Sequence, residues 1–310
     1  MRVVVDARAL DDPALAERGI GRYVRCLLDA LGTRVAPLAA GGRARGADVV
    51  HHPSIDGVRP RLRTATVVTL HDLVPLKHPE TYLRTGLRHR ARYAVVRRAT
   101  RVIVPSRAVA EDARGLLGLD EDRVRVIAEA PAPAFRPSPP PERLALPERF
   151  LLWVGGLDPA DPRKRVEELA AAVRERDGLP LVLAGRPGPD AHALAADGRV
   201  LLAGRVSDEE LAGLYTAAAA LVLPSAEEGF GLPAVEALAC GTPVAAFAGG
   251  ALGELLGAEA GARLVDAGAG MHGLLDAAEA LDGTRAQAPP RTWEQVADET
   301  WAVYEEAAGA

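Results

Sequence analysis

Short apolar runs alternate with helical segments along this chain, twice over with a proline-rich break between, and that pattern restricts its fold more than anything else. Residues 2–5, 48–51, 65–70 and 101–105 are rich in Val and Ile and read as buried strands, while 20–31 and 82–99 carry apolar residues at helical spacing. The pattern restarts at 150–154 and continues through 179–184, 200–203, 220–224 and 243–246, with helical segments at 166–176, 208–218 and 233–239. Strands that are apolar throughout need cover on both faces, which parallel sheets obtain from crossover helices. The expected class is therefore α/β, with two Rossmann-like, doubly wound domains. Their parallel sheets are expected to face each other across a cleft, with ligands at the carboxyl ends of the strands. Residues 131–147 hold seven prolines and read as the linker, which sets the domains at 1–146 and 147–292.

Composition removes several classes. Two cysteines, Cys26 and Cys240, cannot build a disulfide scaffold or a Cys-rich zinc site, and they suit a reducing compartment. The opening MRVVVD is charged by position 6 and reads as a strand, not a secretory signal. No apolar run approaches the roughly 18 residues of a membrane span, so a cytoplasmic location is expected. The net charge of −5 conceals a division: residues 1–146 hold 25 Lys and Arg against 16 Asp and Glu, and residues 147–310 hold 12 against 26. The cations comprise 35 Arg and two Lys, so Lys77 and Lys164 stand out.

The densest chemistry lies in ALVLPSAEEGFGLPAVEALACGTPVAA, residues 220–246. A strand ends at Pro224, a glycine-rich loop follows, and a helix starts near residues 232–233, where Pro233 loses nothing by lacking an N–H. Backbone N–H groups of residues 229–232 are then free to face an anion. Glu228 precedes the loop and Glu236 lies about one turn into the helix, placed for hydroxyl groups of a sugar or ribose. Two acids with seven residues between them around GFGLP, followed by ACGTPV, are the signature of the retaining glycosyltransferases of family 4, and the chain resembles that family over nearly its whole length. MRVVVDARAL, GIGRYVRCLLDAL, LHDLVPLKHPETYL, VGGLDP, PRKRVEELAAAV and GRVSDEELAGLYTAAAALVLPS fall in the family's order, most like its mannosyltransferase-like group.

The resemblance implies a GT-B fold and a hexosyltransferase. Such an enzyme moves a hexose, mannose or similar, from a GDP- or UDP-linked sugar to an acceptor hydroxyl with retention, by a front-face mechanism without metal or other cofactor. It assigns Glu228 to the donor sugar and transition state, Glu236 to the ribose, and the backbone of Phe230, Gly231 and Leu232 to the sugar or diphosphate. A cation against the departing diphosphate stabilises its charge without proton transfer, and the resemblance gives this to Lys164, in VGGLDPADPRKRV. Gly155 and Gly156 fall in the same donor loop. The family's arginine position is Gly156 here, the loop is longer by about two residues near 160–161, and Arg163 or Arg165 is the candidate replacement.

Gly19 and Gly21 open the first long helix, where glycine lets a ligand approach the backbone; the resemblance places them at the donor phosphates and acceptor. His71 follows a strand at its carboxyl end, and the resemblance turns it toward the transferred sugar, whereas His51 and His52 read as ordinary structural histidines. Ser207 reads as an N-cap with Glu210 completing a capping box. Next to it the resemblance puts Val206 at the nucleobase edge, and Arg205 reads equally as a base or phosphate contact or a surface cation. No His and carboxylate set has metal-ligand spacing.

Residues 81–101 contain seven arginines. They read as a solvated basic face, or else as contact with an anionic membrane or a lipid-linked diphosphate acceptor. A second basic element for nucleic acid is missing. The expected partners are a nucleotide-sugar donor and a saccharide, lipid-linked or small-molecule acceptor. The resemblance also leads to the expectation that the amphipathic segment 293–308 packs back on the first domain. An epimerase or phosphorylase on the same fold, or a non-catalytic nucleotide-sugar binder, are the competing readings; a dinucleotide oxidoreductase lacks its glycine fingerprint.

Overall fold

A computed structural model describes the chain except for residues 17, 18, 59–61, 63, 83–86, 158–160, 190, 196, 197, 258 and 260, and describes the backbone alone at 13, 14 and 87–90. It divides into two compact units, Met1–Ala130 with Arg291–Ala310, and Pro131–Pro290. Each is built on a six-stranded parallel sheet.

The first unit contains β1 (Val3–Asp6), β2 (Val35–Leu38), β3 (Val49–His52), β4 (Ala65–Thr69), β5 (Arg101–Val104) and β6 (Val124–Val126), in the order β2-β1-β3-β4-β5-β6. The central strands are buried along their length, which is why they read as continuous apolar runs. The helix Arg107–Leu117 starts on Ser106, whose side chain accepts from the Val109 N–H, and stops at Gly118 in the left-handed region. One face of the sheet buries Val68, Leu70, Val102 and Val104 with Tyr93 and Val96.

The other face takes the helices Gly19–Leu31 and Trp293–Ala308, which pack on each other and, in the second case, on β4. The latter opens with a capping box between Thr292 and Gln295 and buries Trp293, Val296, Ala297, Thr300, Val303, Tyr304 and Ala307, a single stripe of the helix. Its acids meet the arginines of the first unit: Asp298 pairs with Arg34, and Glu306 with Arg101 and Arg125. Charge therefore follows the fold differently from the sequence halves. The first unit carries 24 Lys and Arg against 20 Asp and Glu, and the second 13 against 22.

The second unit contains β7 (Leu151–Val154), β8 (Leu181–Ala184), β9 (Val200–Gly204), β10 (Ala220–Leu223), β11 (Val244–Phe247) and β12 (Ala262–Val265), in the order β12-β11-β10-β7-β8-β9. The helices Val166–Arg174 and Gly270–Glu279 bury Leu169, Val173, Leu274 and Leu275 against one face together with Trp153, Leu183 and Val222. Ser207 and Glu210 form the capping box that starts the helix Asp208–Ala217.

The proline-rich stretch belongs to this second unit, so the boundary drawn at 146/147 lies instead at 130/131. Its residues are held by side chains of the helix Asp208–Ala217. The Ser138 N–H donates to Thr216 Oγ1 at 3.1 Å, Arg143 pairs with Glu210, and the Phe135 ring meets Tyr215 edge-on. Proline lowers the entropy of the unfolded segment, so few contacts suffice to order it. Of residues 81–101, 83–86 lie outside the described residues; Arg92 pairs with Asp56 and Arg101 with Glu306. Among the described residues no helix is long and apolar enough to cross a membrane.

Candidate active site

In a doubly wound sheet the crevice opens where strand order reverses, because the loops of the two central strands leave in opposite directions. In the second unit that point lies between β7 and β10, which pair directly. The loop after β7 carries Gly155, Gly156 and the helical turn Pro162–Lys164; the loop after β10 carries Ser225 and Glu228. Residues 64 apart in sequence thus come together.

Lys164 Nζ donates to Glu228 Oε1 at 3.0 Å, and Ser225 Oγ donates to the same oxygen at 2.7 Å. Both members of the ion pair are largely buried, with 18% and 9% of their side chains exposed. Burial pushes the Glu228 carboxyl up, but the charges of Lys164 and then Arg163, with the two hydrogen bonds, hold it below its ordinary value. Arg163 is turned by Asp161, whose carboxylate accepts from its Nε at 2.7 Å, and its carbonyl accepts from the Ala226 N–H at 2.9 Å. Arg165 points elsewhere: it is left-handed (φ 47°), pairs with Glu168 and lies over the Phe247 ring. Between the two candidates for the missing arginine charge, Arg163 is therefore the one beside Glu228. Of the longer loop, residue 160 lies outside the described residues and Asp161 forms the cap of the turn.

Gly231 precedes the helix Leu232–Ala239 at φ 102°, and a side chain there would meet Leu252. Only glycine holds this turn without strain, so Gly231→Ala is expected to cost about 1–3 kcal/mol in denaturant unfolding of the second unit. The helix presents its first N–H groups at this end, and Phe230 in the loop before it is buried. Glu236 lies one turn in and is fully buried, accepting from Tyr215 Oη at 3.0 Å. Gly155 is half-buried, Gly156 and Arg205 are exposed, and Val206 is half-buried at the end of β9. The Arg205 carbonyl accepts from Arg143.

In the first unit strand order reverses between β1 and β3. A cavity of ≈ 170 Å³ lies there, lined by Asp6, Arg8, Asp12, Ser54 and Asp56 among others. Arg8 is committed to Asp6 and to the Gly57 carbonyl, and His52 Nδ1 is 2.9 Å from Asp6. Gly19 is exposed at the head of its helix; Gly21 is buried, and a Cβ there would overlap the backbone of Ala16, a packing reason for glycine. His51 is held between Tyr304 Oη (2.7 Å) and Thr69 Oγ1 (2.9 Å). His71 is bonded at both ring nitrogens, to Glu129 Oε1 at 3.0 Å and to the Pro53 carbonyl at 2.9 Å.

Sequence reading did not single out Ser225, Tyr215 or Glu129. Ser225 carried a signal, a hydroxyl directly after a buried strand at its carboxyl end; the other two are legible only from their partners. Among the described residues no group of three or more His, Cys, Asp or Glu side chains is arranged to hold a metal ion.

The family model for group 1 glycosyl transferases matches residues 148–281, and that for glycosyltransferase family 4 matches residues 2–129. The MMP alpha-(1->4)-mannosyltransferase of Mycolicibacterium hassiacum is 40% identical over 167 residues, 47% of this chain and 41% of that protein. The D-inositol 3-phosphate glycosyltransferase of Mycobacterium tuberculosis is 34% identical over 238 residues, 66% of this chain and 48% of that protein. The chain thus spans about half the length of these curated relatives. Sucrose-phosphate synthase from Thermosynechococcus elongatus shares the fold with a TM-score of 0.72 at 22% identity, covering 99% of this chain and 96% of that one. The two family models between them take in most of both units, and the chain belongs to the group 1 and family 4 glycosyltransferases, with the GT-B fold.

Proposed function

We propose that this protein is a retaining hexosyltransferase that takes its sugar from a nucleoside diphosphate donor and gives it to an acceptor hydroxyl. The observation that carries the reading is the Lys164–Glu228 pair with Arg163 beside it, at the switch point of the second sheet. A diphosphate leaving group gains negative charge as the glycosidic bond breaks, and fixed cations stabilise it without reorganisation. Lys164 and Arg163 supply that charge, and the helix N–H groups at Gly231 and Leu232 add to it. Glu228 holds the donor sugar's hydroxyls and balances the developing positive charge at the anomeric carbon. The departing phosphate accepts the acceptor's proton, so the reaction calls for no protein nucleophile and no metal.

Glu236 serves as the ribose contact by turning its carboxylate from Tyr215 toward the nucleotide. Val206 meets the base edge. The acceptor is a polyhydroxyl molecule bound at the cavity of the first unit, whose polar lining exchanges hydrogen bonds with hydroxyl groups. The name of the Mycolicibacterium relative makes mannose the first sugar to test, and GDP is the carrier that the family resemblance puts first.

A thermal-shift panel of UDP, GDP, ADP and their sugars tests the donor side. At about a hundred times its Kd, one nucleotide stabilises by roughly 2.7 kcal/mol, a rise of several degrees in Tm. No shift with any of them would overturn the reading.

A further inference from the structure

His71 follows β4 at the carboxyl end of the first sheet, and its two hydrogen bonds constrain its charge. A peptide carbonyl only accepts, so Nε2 carries a hydrogen for Pro53. The partner of Nδ1 is a carboxylate, Glu129 Oε1, on the chain after β6. A carboxylate accepts, so the hydrogen of that bond belongs on Nδ1. Both nitrogens then donate, which only an imidazolium can do.

The surroundings fit that state. Glu129 is buried, and its second oxygen, Oε2, has no hydrogen-bond partner among the described residues. A carboxylate so placed is stable only against a charge. Burial pushes the His71 ring toward neutrality, but Glu129 by hydrogen bond and charge, the Pro53 carbonyl and Asp72 raise it above its ordinary value. His51 stays neutral, its ring lowered to about 3 by burial and by the charges of His52 and His71. Tyr23 meets the ring edge-on at 4.7 Å and is itself backed by Trp293, which fixes the ring plane. About 19% of the His71 side chain remains exposed.

We propose that Glu129 is a positioning residue that keeps His71 as a fixed imidazolium, a positive charge with both N–H groups already spent. Such a ring is neither a general base nor a proton donor during turnover; it acts through its charge alone. The kinetic part of this inference rests on the transferase reading above, and the protonation part does not.

The test is the ring's own titration, followed by nitrogen NMR of the full chain labelled at histidine, with His71→Gln to assign the signal. In the wild type both ring nitrogens stay protonated at pH 7.5. In Glu129→Gln the ring loses its proton at least about one pH unit lower, a tenfold change in acidity. Glu129→Ser is a second uncharged variant with the same expectation. A neutral wild-type ring at pH 7.5, or an unmoved titration in either variant, would overturn the proposal. Failure of both variants to fold would also count against it, by making Glu129 a structural residue. If transfer is measurable, the alkaline limb of the kcat profile shifts down by at least about one unit in Glu129→Gln, while KM for the donor changes less than about twofold. An unshifted limb counts against the catalytic use of the charge. Absence of any transfer overturns the transferase reading, and the NMR result is still decided.

Discussion

Lys164→Ala and Glu228→Gln each lower the transfer rate about a hundredfold or more, as expected for a lost preorganised charge at the reacting centre. The two variants differ in a second measurement. Lys164→Ala leaves Glu228 buried with Ser225 and Arg163 as its remaining support, so the second unit also becomes less stable. Glu228→Gln keeps hydrogen-bonding capacity toward Ser225 and Lys164 and loses mainly the charge. Purified variants assayed with the donor found in the nucleotide panel check the rate, and near-normal turnover in either removes that residue from the mechanism.

The pH dependence follows from the same pair. Glu228 is held below its ordinary 4.5 in the folded state. Its contribution to stability is complete above that value and is lost as pH falls through the depressed folded value. Denaturant unfolding across the acid range should show this limb in the wild type and less of it in Glu228→Gln.

Tyr304→Ala produces the largest loss of stability expected in the first unit, about 3–5 kcal/mol by analogy with other buried aromatics. Tyr304 is fully buried, lies edge-on to His51 at 5.5 Å and bonds its Nδ1. Truncation opens a cavity between the helix Trp293–Ala308 and the sheet and orphans a buried nitrogen. Tyr304→Phe keeps the ring and isolates the hydrogen bond, at about 1–3 kcal/mol. Equilibrium unfolding in urea distinguishes the two; a loss below about 1 kcal/mol for the alanine variant would mean that this helix contributes little.

His51 gives the experiment a pH arm. Its ring is lowered from 6.5 to about 3, so the unfolded chain takes up a proton that the folded one refuses. Stability from this group is complete above pH 6.5 and falls as pH drops toward 3.

Much of this was legible in the sequence because the signals are local. Apolar runs announce buried parallel strands, and Ser207 with Glu210 announces a helix start. GFGLP between two acids announces a strand, a tight turn and a helix start. Each depends on residues within a few positions of one another. The linker reading at residues 131–147 shows the limit: prolines argue against regular structure, yet they say nothing of Thr216, Glu210 and Tyr215, which hold the segment to the second unit.

The charge pattern shows the same limit from another side. The sequence sets the basic and acidic halves, but the return of the helix Trp293–Ala308 to the first unit brings Asp298 and Glu306 onto its arginines and shrinks the contrast. The site divides in the same way. In the sequence, it is the family resemblance that marked Lys164 for diphosphate and Glu228 and His71 for sugar chemistry. Only the tertiary structure decided that Lys164 touches Glu228, that Arg163 rather than Arg165 stands beside them, that Glu236 is enclosed with Tyr215, and that Glu129 sets the charge of His71. The reason is physical: a local motif is fixed by backbone preference and hydrogen bonds within a turn. The charge of a buried group is fixed by whichever side chains the strand order brings within about 3 Å.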